Sequence, residues 1–331
     1  MQNNLVTVFG ASGFLGRHTV RALAKRGWRV RAVCRKPNQA NYLLPAGNVG
    51  QIHLLRGNVN SSEDVERALE GAGAAVNLVG VLHGSGAQGF DSIHAAAARR
   101  IGRAARQAGV NALAHVSALG ANAKSPSSYA RSKAEGEHDL LAEYPGAAIL
   151  RPSVVFGPED KFFNKFASLA RFTPALPLIG GGQTKFQPVY AGDVAAAIVS
   201  ILTKSEAAGT VYELGGPSVY SFEELLRFIL RETGRKRMLL PVPFALAKLM
   251  AIDAMVINAV PAAVSRFFGA VPPDPILTVD QVRLLMRDNV VQPGMPGFAE
   301  LGLQPQAMES VVPGYLWRYH PKGQFKYEVR A

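Results

Sequence analysis

Read for hydrophobic and polar positions, the chain alternates short apolar runs with amphipathic stretches from its N-terminus onward. Leu5–Phe9 is apolar, bounded by Asn3-Asn4 and by Gly10, and predicts a buried strand. Over residues 17–26, Val20, Leu23 and Ala24 fall on one helical face, and Gly27 stops the helix. Trp28–Cys34, Ile52–Leu55, Ala74–Val79 and Ala112–Val116 predict further strands. Between them, Ser62–Leu69 predicts a helix capped by Ser61 or Ser62, with Glu63 and Asp64 in its first turn. Asp91–Ala108 predicts a long Ala-rich helix ended by Gly109. Another helix begins near Pro126, with Ser125 or Ser127 as its cap. Strands and helices in strict alternation predict an α/β fold with a doubly wound parallel sheet.

After Pro158 the pattern becomes that of a smaller lobe. It predicts helices over Phe162–Phe172, Ala191–Thr203 and Ser221–Glu232, a strand over Val211–Leu214, and loops at Pro174–Pro177 and Gly180–Gly182. From Arg235 the composition shifts. Leu239–Pro272 is nearly apolar, interrupted by Lys248, Asp253, Asn258 and Pro261. Two readings stand: a helix buried in the lobe, or a face docked on a membrane surface or an integral partner. The tail from Tyr315 to Tyr327 interleaves aromatics with cations, which suits a headgroup interface or a protein partner. Such a tail can also stack on nucleic acid, but no other stretch resembles a nucleic-acid module, so no nucleic-acid partner is expected. No uninterrupted apolar run reaches the roughly 18 residues of a membrane span.

Composition narrows this only in part. The 331 residues can hold one large domain or a domain plus a lobe, and a 48% hydrophobic content excludes disorder. The formal charge of +12 points to an acidic partner (nucleic acid, an anionic membrane, a dinucleotide phosphate) or to a merely basic surface. The single cysteine, Cys34, excludes an internal disulfide and fits a reducing compartment. The first strand begins almost at the N-terminus, so no signal or transit peptide is expected ahead of it in this sequence. No metal site is expected.

The chemistry is concentrated around the first strand. Gly10-Ala11-Ser12-Gly13-Phe14-Leu15-Gly16 follows that strand and opens a helix, the context of a phosphate-binding loop. Gly10 permits the tight turn, Gly13 lets the backbone approach a pyrophosphate, and Gly16 lets the helix pack closely on its strand. The spacing is GxxGxxG. After the second strand an NAD site would place a carboxylate on the ribose hydroxyls, but here stand Arg35 and Lys36. Two adjacent cations attract a 2′-phosphate, which favours NADP(H) unless they are simply solvated loop charges. Asn58 and the Val59 backbone lie where a strand-end loop meets an adenine edge. Val79 and Gly80, at the end of the fourth strand, lie where the sheet passes under a cofactor. Tyr129 and Lys133 are i and i+4 on one helical face, and a nearby ammonium lowers a phenol's pKa. Ser117, at the end of the fifth strand, can hydrogen-bond a substrate oxygen.

With these residues the chain resembles the extended or atypical short-chain dehydrogenases/reductases, the family of NAD-dependent epimerases and dehydratases. Four features carry the resemblance: Gly10/Gly13/Gly16; Ser117 with Tyr129 and Lys133; Leu150–Pro158; and Pro188–Ala195. They cover about Leu5 to Glu232. The resemblance implies a Rossmann-like NADP(H)-binding domain over residues 1–155 and a smaller, mostly helical C-terminal lobe over 156–331. Segments 186–216 would return to the first domain, and a docking tail would span 313–331. It further implies Tyr129 as general acid/base, Lys133 as ribose ligand and tuner of the tyrosine, and Pro152 and Val154 beside the nicotinamide. Ala118 departs from relatives that carry a second hydroxyl there, and Asn58 replaces the usual aspartate.

A narrower resemblance rests on Asn77–Gly80, His115–Asn122, Ser127–Glu137, Val155–Ala167 and Phe186–Ile198. These segments look like the nucleotide-binding accessory subunit of respiratory complex I (NADH:ubiquinone oxidoreductase) and its bacterial homologues. That subgroup implies NADPH held structurally, with Ser117, Tyr129 and Lys133 intact but not turning over a substrate. It implies a peripheral position beside the quinone-site region, on the cytoplasmic face of a bacterial inner membrane or the matrix side of a mitochondrial one. The alternative is a free-standing NADP-dependent reductase or epimerase. The residues alone show only a cofactor pocket with an acid/base group in it.

Overall fold

The computed structural model describes residues 4–81, 89–249, 251 and 277–323. In chain order the elements are β1 (Leu5–Phe9), α1 (Phe14–Lys25), β2 (Arg29–Cys34), β3 (Ile52–Arg56), α2 (Ser62–Leu69) and β4 (Ala74–Asn77). A π-helical turn at Asp91–Ala96 runs into α3 (Ala97–Gln107), followed by β5 (Ala112–Val116), α4 (Ser128–Glu143), β6 (Ala148–Pro152), β7 (Val155–Phe156), α5 (Phe163–Phe172) and β8 (Ala175–Ile179). Then come β9 (Lys185–Phe186), β10 (Val189–Tyr190), α6 (Ala191–Thr203), β11 (Val211–Leu214), β12 (Tyr220–Ser221), α7 (Phe222–Glu232) and β13 (Met238–Val242).

The chain divides into two compact units. The first comprises Met1–Asp160, Gln187–Ser218 and Val290–Val312. Its core is a seven-stranded sheet of order β11-β6-β5-β4-β1-β2-β3, parallel throughout. This is the doubly wound, Rossmann-like arrangement. The period-2 alternation of each strand decides which layer a side chain joins. Val6, Val8, Val76, Ala114 and Leu150 pack against α1 and α6 on one face. Phe9, Ala75, Leu113 and Ile149 pack against α2, α3 and α4 on the other. Both faces are covered, which is why the strands read as near-continuous apolar runs. The strand order reverses between β1 and β4, so a crevice opens there at the carboxyl ends. Val290–Val312 is tied back to this unit by Gln306, whose backbone and side-chain N–H groups donate to Asp193 at the start of α6.

The second unit comprises Lys161–Phe186, Val219–Asn289 and Pro313–Ala331. It is built on α5 and α7, whose aromatic residues Phe162, Phe163, Phe166, Phe222 and Phe228 meet edge-to-face. Ser221 and Glu224 close a capping box at the start of α7.

Two expectations for this lobe are corrected. Pro174–Pro177 is not a loop: Ala175–Ile179 is β8, paired in parallel with β13. Likewise the stretch from Leu239 does not begin as a buried helix. It begins as strand β13, with Leu240 and Pro241 exposed, and residues 244–249 are helical. The partners are about sixty residues apart, and both carry prolines that a two-stranded edge tolerates, so neither shows a period readable in its own segment. Residues 252–276, most of the apolar stretch, and 324–331 of the tail lie outside the described residues. Within the described part of the tail, Tyr315 and Leu316 are buried, whereas Trp317 is 39% exposed.

Candidate functional site

The glycine loop turns at the crevice. Gly10 takes a φ of +79°, open to glycine at little cost, and a side chain there would press on the Leu78–Val79 backbone at 3.2–3.3 Å. At Gly16 a Cβ would collide with the carbonyl oxygens of Gly10 and Ala11. Gly13 is the N-cap of α1, and its N–H donates to the Gly10 carbonyl at 3.0 Å. The amides of Phe14, Leu15 and Gly16 therefore form the first turn, where helix N–H groups are available to an anion. Leu15 packs on the core, and Phe14 meets His18 edge-on. The Ser12 carbonyl accepts from the Tyr42 hydroxyl at 2.7 Å, and the Arg17 guanidinium lies over the Tyr42 ring.

Arg35 and Lys36 follow β2 as expected. The structure adds Arg56, at the end of β3, where Cys34 and Arg56 pair across the ladder. Together the three cations line a cavity of about 460 Å³ with Pro37, Asn38 and Gln39. Sequence reasoning missed Arg56, although it stands two residues before Asn58 at the end of a predicted strand. Asn58 is exposed, and its side-chain oxygen accepts from the Asn60 amide at 3.1 Å, while its own amide donates to Asp64. The Val59 carbonyl accepts from Arg100 at 2.7 Å.

The end of β4 leads to the second cluster. Val79 N–H donates to the Asn77 side chain, and Gly80 leaves room beside the Lys133 ammonium, 3.2 Å from where a Cβ would sit. Lys133 is buried and donates to the Val116 carbonyl at 3.2 Å. Ser117 follows immediately. Its hydroxyl is buried and has no hydrogen-bond partner among the described residues, the condition of a group that awaits a ligand atom. Leu119 N–H donates to the Pro152 carbonyl and Val189 N–H to the Val154 carbonyl, which fixes that segment beside β5.

Tyr129 sits half-buried, its ring edge-on to Phe90 and His94. The expected lowering of its pKa by Lys133 is not found. Desolvation pushes the phenol up to about 12 and the Lys133 ammonium down to about 8, because burial disfavours the charged form of both.

His94 was not singled out from sequence. It lies in the π-helical turn, and Val81 N–H donates to its Nε2 at 3.0 Å. Nε2 is thus the acceptor nitrogen, so Nδ1 carries the proton and donates to Ser132 Oγ, which in turn donates to the Tyr129 carbonyl. His94 and His115 are both held down to about 3, first by desolvation and then by the Lys133 charge. A π-turn at a functional cluster is the one signal that locates His94, and it shows only in the backbone.

The residues fit a dinucleotide: a glycine cradle that a Cβ at Gly10 or Gly16 would fill, a cavity lined by three cations, and an orphaned buried hydroxyl at Ser117. Among the described residues no group of histidine, cysteine and carboxylate side chains can hold a metal, and no helix is long and apolar enough to cross a membrane.

Comparison with known proteins gives a consistent result. The model of the NAD dependent epimerase/dehydratase family matches residues 6–215. Mitochondrial NADH dehydrogenase [ubiquinone] 1 alpha subcomplex subunit 9 of Arabidopsis thaliana is 33% identical over 96% of this chain and 79% of that protein. The ceramide reductase of Caulobacter vibrioides is 31% identical over 72% of this chain and 74% of that protein. Among solved structures, a dTDP-glucose 4,6-dehydratase of Streptomyces venezuelae with NAD bound shares the fold: TM-score 0.70 at 19% identity, covering 97% of this chain and 99% of that one.

Proposed function

The chain belongs to the NAD dependent epimerase/dehydratase family, and from that premise we propose that it is an accessory subunit of respiratory complex I that holds NADPH as a structural ligand. The observation that carries the reading is similarity to a named complex I subunit along 96% of the chain, because it includes the second unit as well as the cofactor fold. NADPH is favoured by the cavity of Arg35, Lys36 and Arg56, which offers three cations and no carboxylate to the ribose end. In this reading the first turn of α1 holds the pyrophosphate, Asn58 and Val59 border the adenine, and Val79, Gly80 and Lys133 hold the nicotinamide ribose. Pro152 and Val154 flank the nicotinamide. When bound, the nucleotide would supply a hydride donor.

The reading of retention over turnover rests on the similarity to a complex I subunit, and desolvation pushes the Tyr129 phenol up to about 12. Ser117 and Lys133 then serve to bind the nucleotide, and Tyr129 packs the wall between Phe90 and His94. The second unit docks the protein peripherally, at the quinone-site region of the complex. In a bacterium this is the cytoplasmic face of the inner membrane, and in a mitochondrion the matrix side.

A second reading is favoured by the ceramide reductase relative: a free-standing NADP-dependent reductase or epimerase. One experiment separates the two. Native gels of solubilised membranes should show the tagged chain migrating with complex I, and nucleotide extracted from it should be NADPH. Tyr129→Phe should leave both unchanged. A soluble chain with an NADPH-dependent turnover that Tyr129→Phe lowers by roughly 10²–10⁴-fold establishes the reductase instead.

A further inference from the structure

The charge of the molecule is unevenly placed. The second unit carries 17 of the 36 Lys and Arg but only 8 of the 24 Asp and Glu, a formal +9 of the +12 total. Part of that excess gathers where the end of α5 meets the start of β13. Arg237 donates to the Ala170 carbonyl at 2.9 Å, Met238 N–H donates to the Pro174 carbonyl, and the Arg171 guanidinium lies over the Phe172 ring. Arg235 donates to the Tyr319 carbonyl, bringing the Trp317–Tyr319 turn to the same place.

Arg171, Arg235, Lys236 and Arg237 form no ion pair among the described residues. Arg235 feels Arg237 and Arg171 as like charges and no carboxylate beside it. Between these cations the surface is apolar and open. Phe172 is 79% exposed, Met238 63% and Leu240 48%, with Met238 and Leu240 on the same side of an edge strand. Crowded cations without counterions repel one another unless an anionic surface neutralises them, and exposed Phe, Met and Leu gain nothing from water.

We infer that this patch (Arg171, Phe172, Arg235, Lys236, Arg237, Met238) is a contact surface for an anionic phospholipid bilayer. Headgroup phosphates neutralise the cations while Phe172 and Met238 enter the acyl boundary. The inference deepens the peripheral reading above by naming the lipid chemistry, and it requires no partner subunit. A bilayer is favoured over an acidic protein because the apolar side chains stand among the cations rather than beneath them. Trp317 adds an amphipathic ring of the kind that prefers a headgroup boundary.

The test is co-sedimentation of the purified full chain with vesicles of phosphatidylcholine alone, or of phosphatidylcholine and phosphatidylglycerol in equal parts. Binding is expected only to the anionic vesicles and should weaken with salt. Arg171→Glu and Lys236→Glu should each cut the partition coefficient at least about fivefold, the equivalent of about 1 kcal/mol per cation near the surface. Phe172→Ser, at a position too exposed to affect folding, should lower the part that survives high salt. Equal binding to both vesicles overturns the inference. So does release by inorganic phosphate beyond that by chloride at matched ionic strength, which marks an ion site. It is also overturned if the chain ignores both vesicles while Arg171→Glu abolishes association with complex I, which marks an acidic protein surface. Anionic-vesicle binding by a chain that does not migrate with complex I keeps this inference and removes the subunit reading.

Discussion

The sheet of the first unit and the α5–β13 surface of the second handle charge differently. In the first, the arginine of β6 is matched by buried carboxylates. Arg151, on β6, donates to Glu137 of α4 through two nitrogens at 2.6 and 2.9 Å and lies 3.7 Å from Glu213 of β11, so two strands and a helix share one ionic network. Glu213 also accepts from the Gln292 amide. In the second unit Arg227, Arg231 and Arg283 have carboxylate partners, but Arg171, Lys236 and Arg237 stand beside the exposed Phe172, Met238 and Leu240 without one among the described residues. The whole-chain charge of +12 invites a nucleotide or nucleic-acid explanation, yet the unit with the glycine loop carries only +3 of it. Most of the net charge therefore belongs to the lobe, while the cations of the first unit that face a cavity are Arg35, Lys36 and Arg56.

That contrast is sharpest under substitution. Arg151→Met should cost about 3–5 kcal/mol in urea unfolding, because it leaves Glu137 and Glu213 buried without their cation. Arg171→Met in the lobe should change stability by no more than about 0.5 kcal/mol, since it breaks no ion pair among the described residues. Comparable losses from both would mean that Arg171 is paired as Arg151 is.

Next in size is cofactor choice. Arg56→Glu should weaken NADPH by roughly 1.5–3 kcal/mol, measured by fluorescence titration, and leave NADH much less affected. Lys236→Glu should leave both affinities alone. Equal weakening of the two nucleotides by Arg56→Glu would remove the 2′-phosphate from that cavity.

How far these features could be read beforehand depends on the range over which their cause acts. Leu5–Phe9, Ser62–Leu69, Ala112–Val116, Ala191–Thr203 and Val211–Leu214 match the expected spans, because each carries its own period, cap or terminal glycine. The strand at Ala148–Pro152 was met only as a motif, and β8 and β13 not at all, since what makes them strands is a partner distant in sequence. Arg35 and Lys36 were legible as the residues after a strand. Arg56 was not, because only the β2–β3 register brings it to them. The sign of the Tyr129 shift could not be read either: spacing reveals the ammonium one turn away but not the desolvation that raises the phenol.

Acid lability should also separate the units. His94 and His115, buried near the sheet and held down to about 3, stay neutral in the folded chain while free histidine titrates near 6.5. Below about 6.5 the unfolded chain binds more protons, so stability falls as pH drops toward 3, by about 1.4 kcal/mol per pH unit for each histidine. Replacing His115 with Gln should flatten that slope in a urea series across pH. Lys133 acts in the opposite range: its folded pKa near 8 lies below the unfolded value, so stability should rise from pH 8 toward 10. An unchanged acid slope in His115→Gln would show that this ring is charged in the folded protein.

The smallest effect tests the open face of β13. Met238 and Leu240 point to one side of the strand, with most or half of their surface in water, while Leu239 is half-buried and pairs in register with the fully buried Leu176 of β8. An apolar side chain already in water has little burial to lose, so its replacement removes little of the roughly 25 cal/mol per Å² that burial supplies. Strand propensity changes by well under 1 kcal/mol at an edge, where no second neighbour packs the side chain. Met238→Ser and Leu240→Ser should therefore each shift stability by about 0.5 kcal/mol or less in thermal melts. Leu239→Ser, on the packed side of the same strand, should cost clearly more. A drop of several degrees from Leu240→Ser, matching that of Leu239→Ser, would mean that this face is covered within the protein itself, and the lobe would then have no open apolar edge to offer a bilayer.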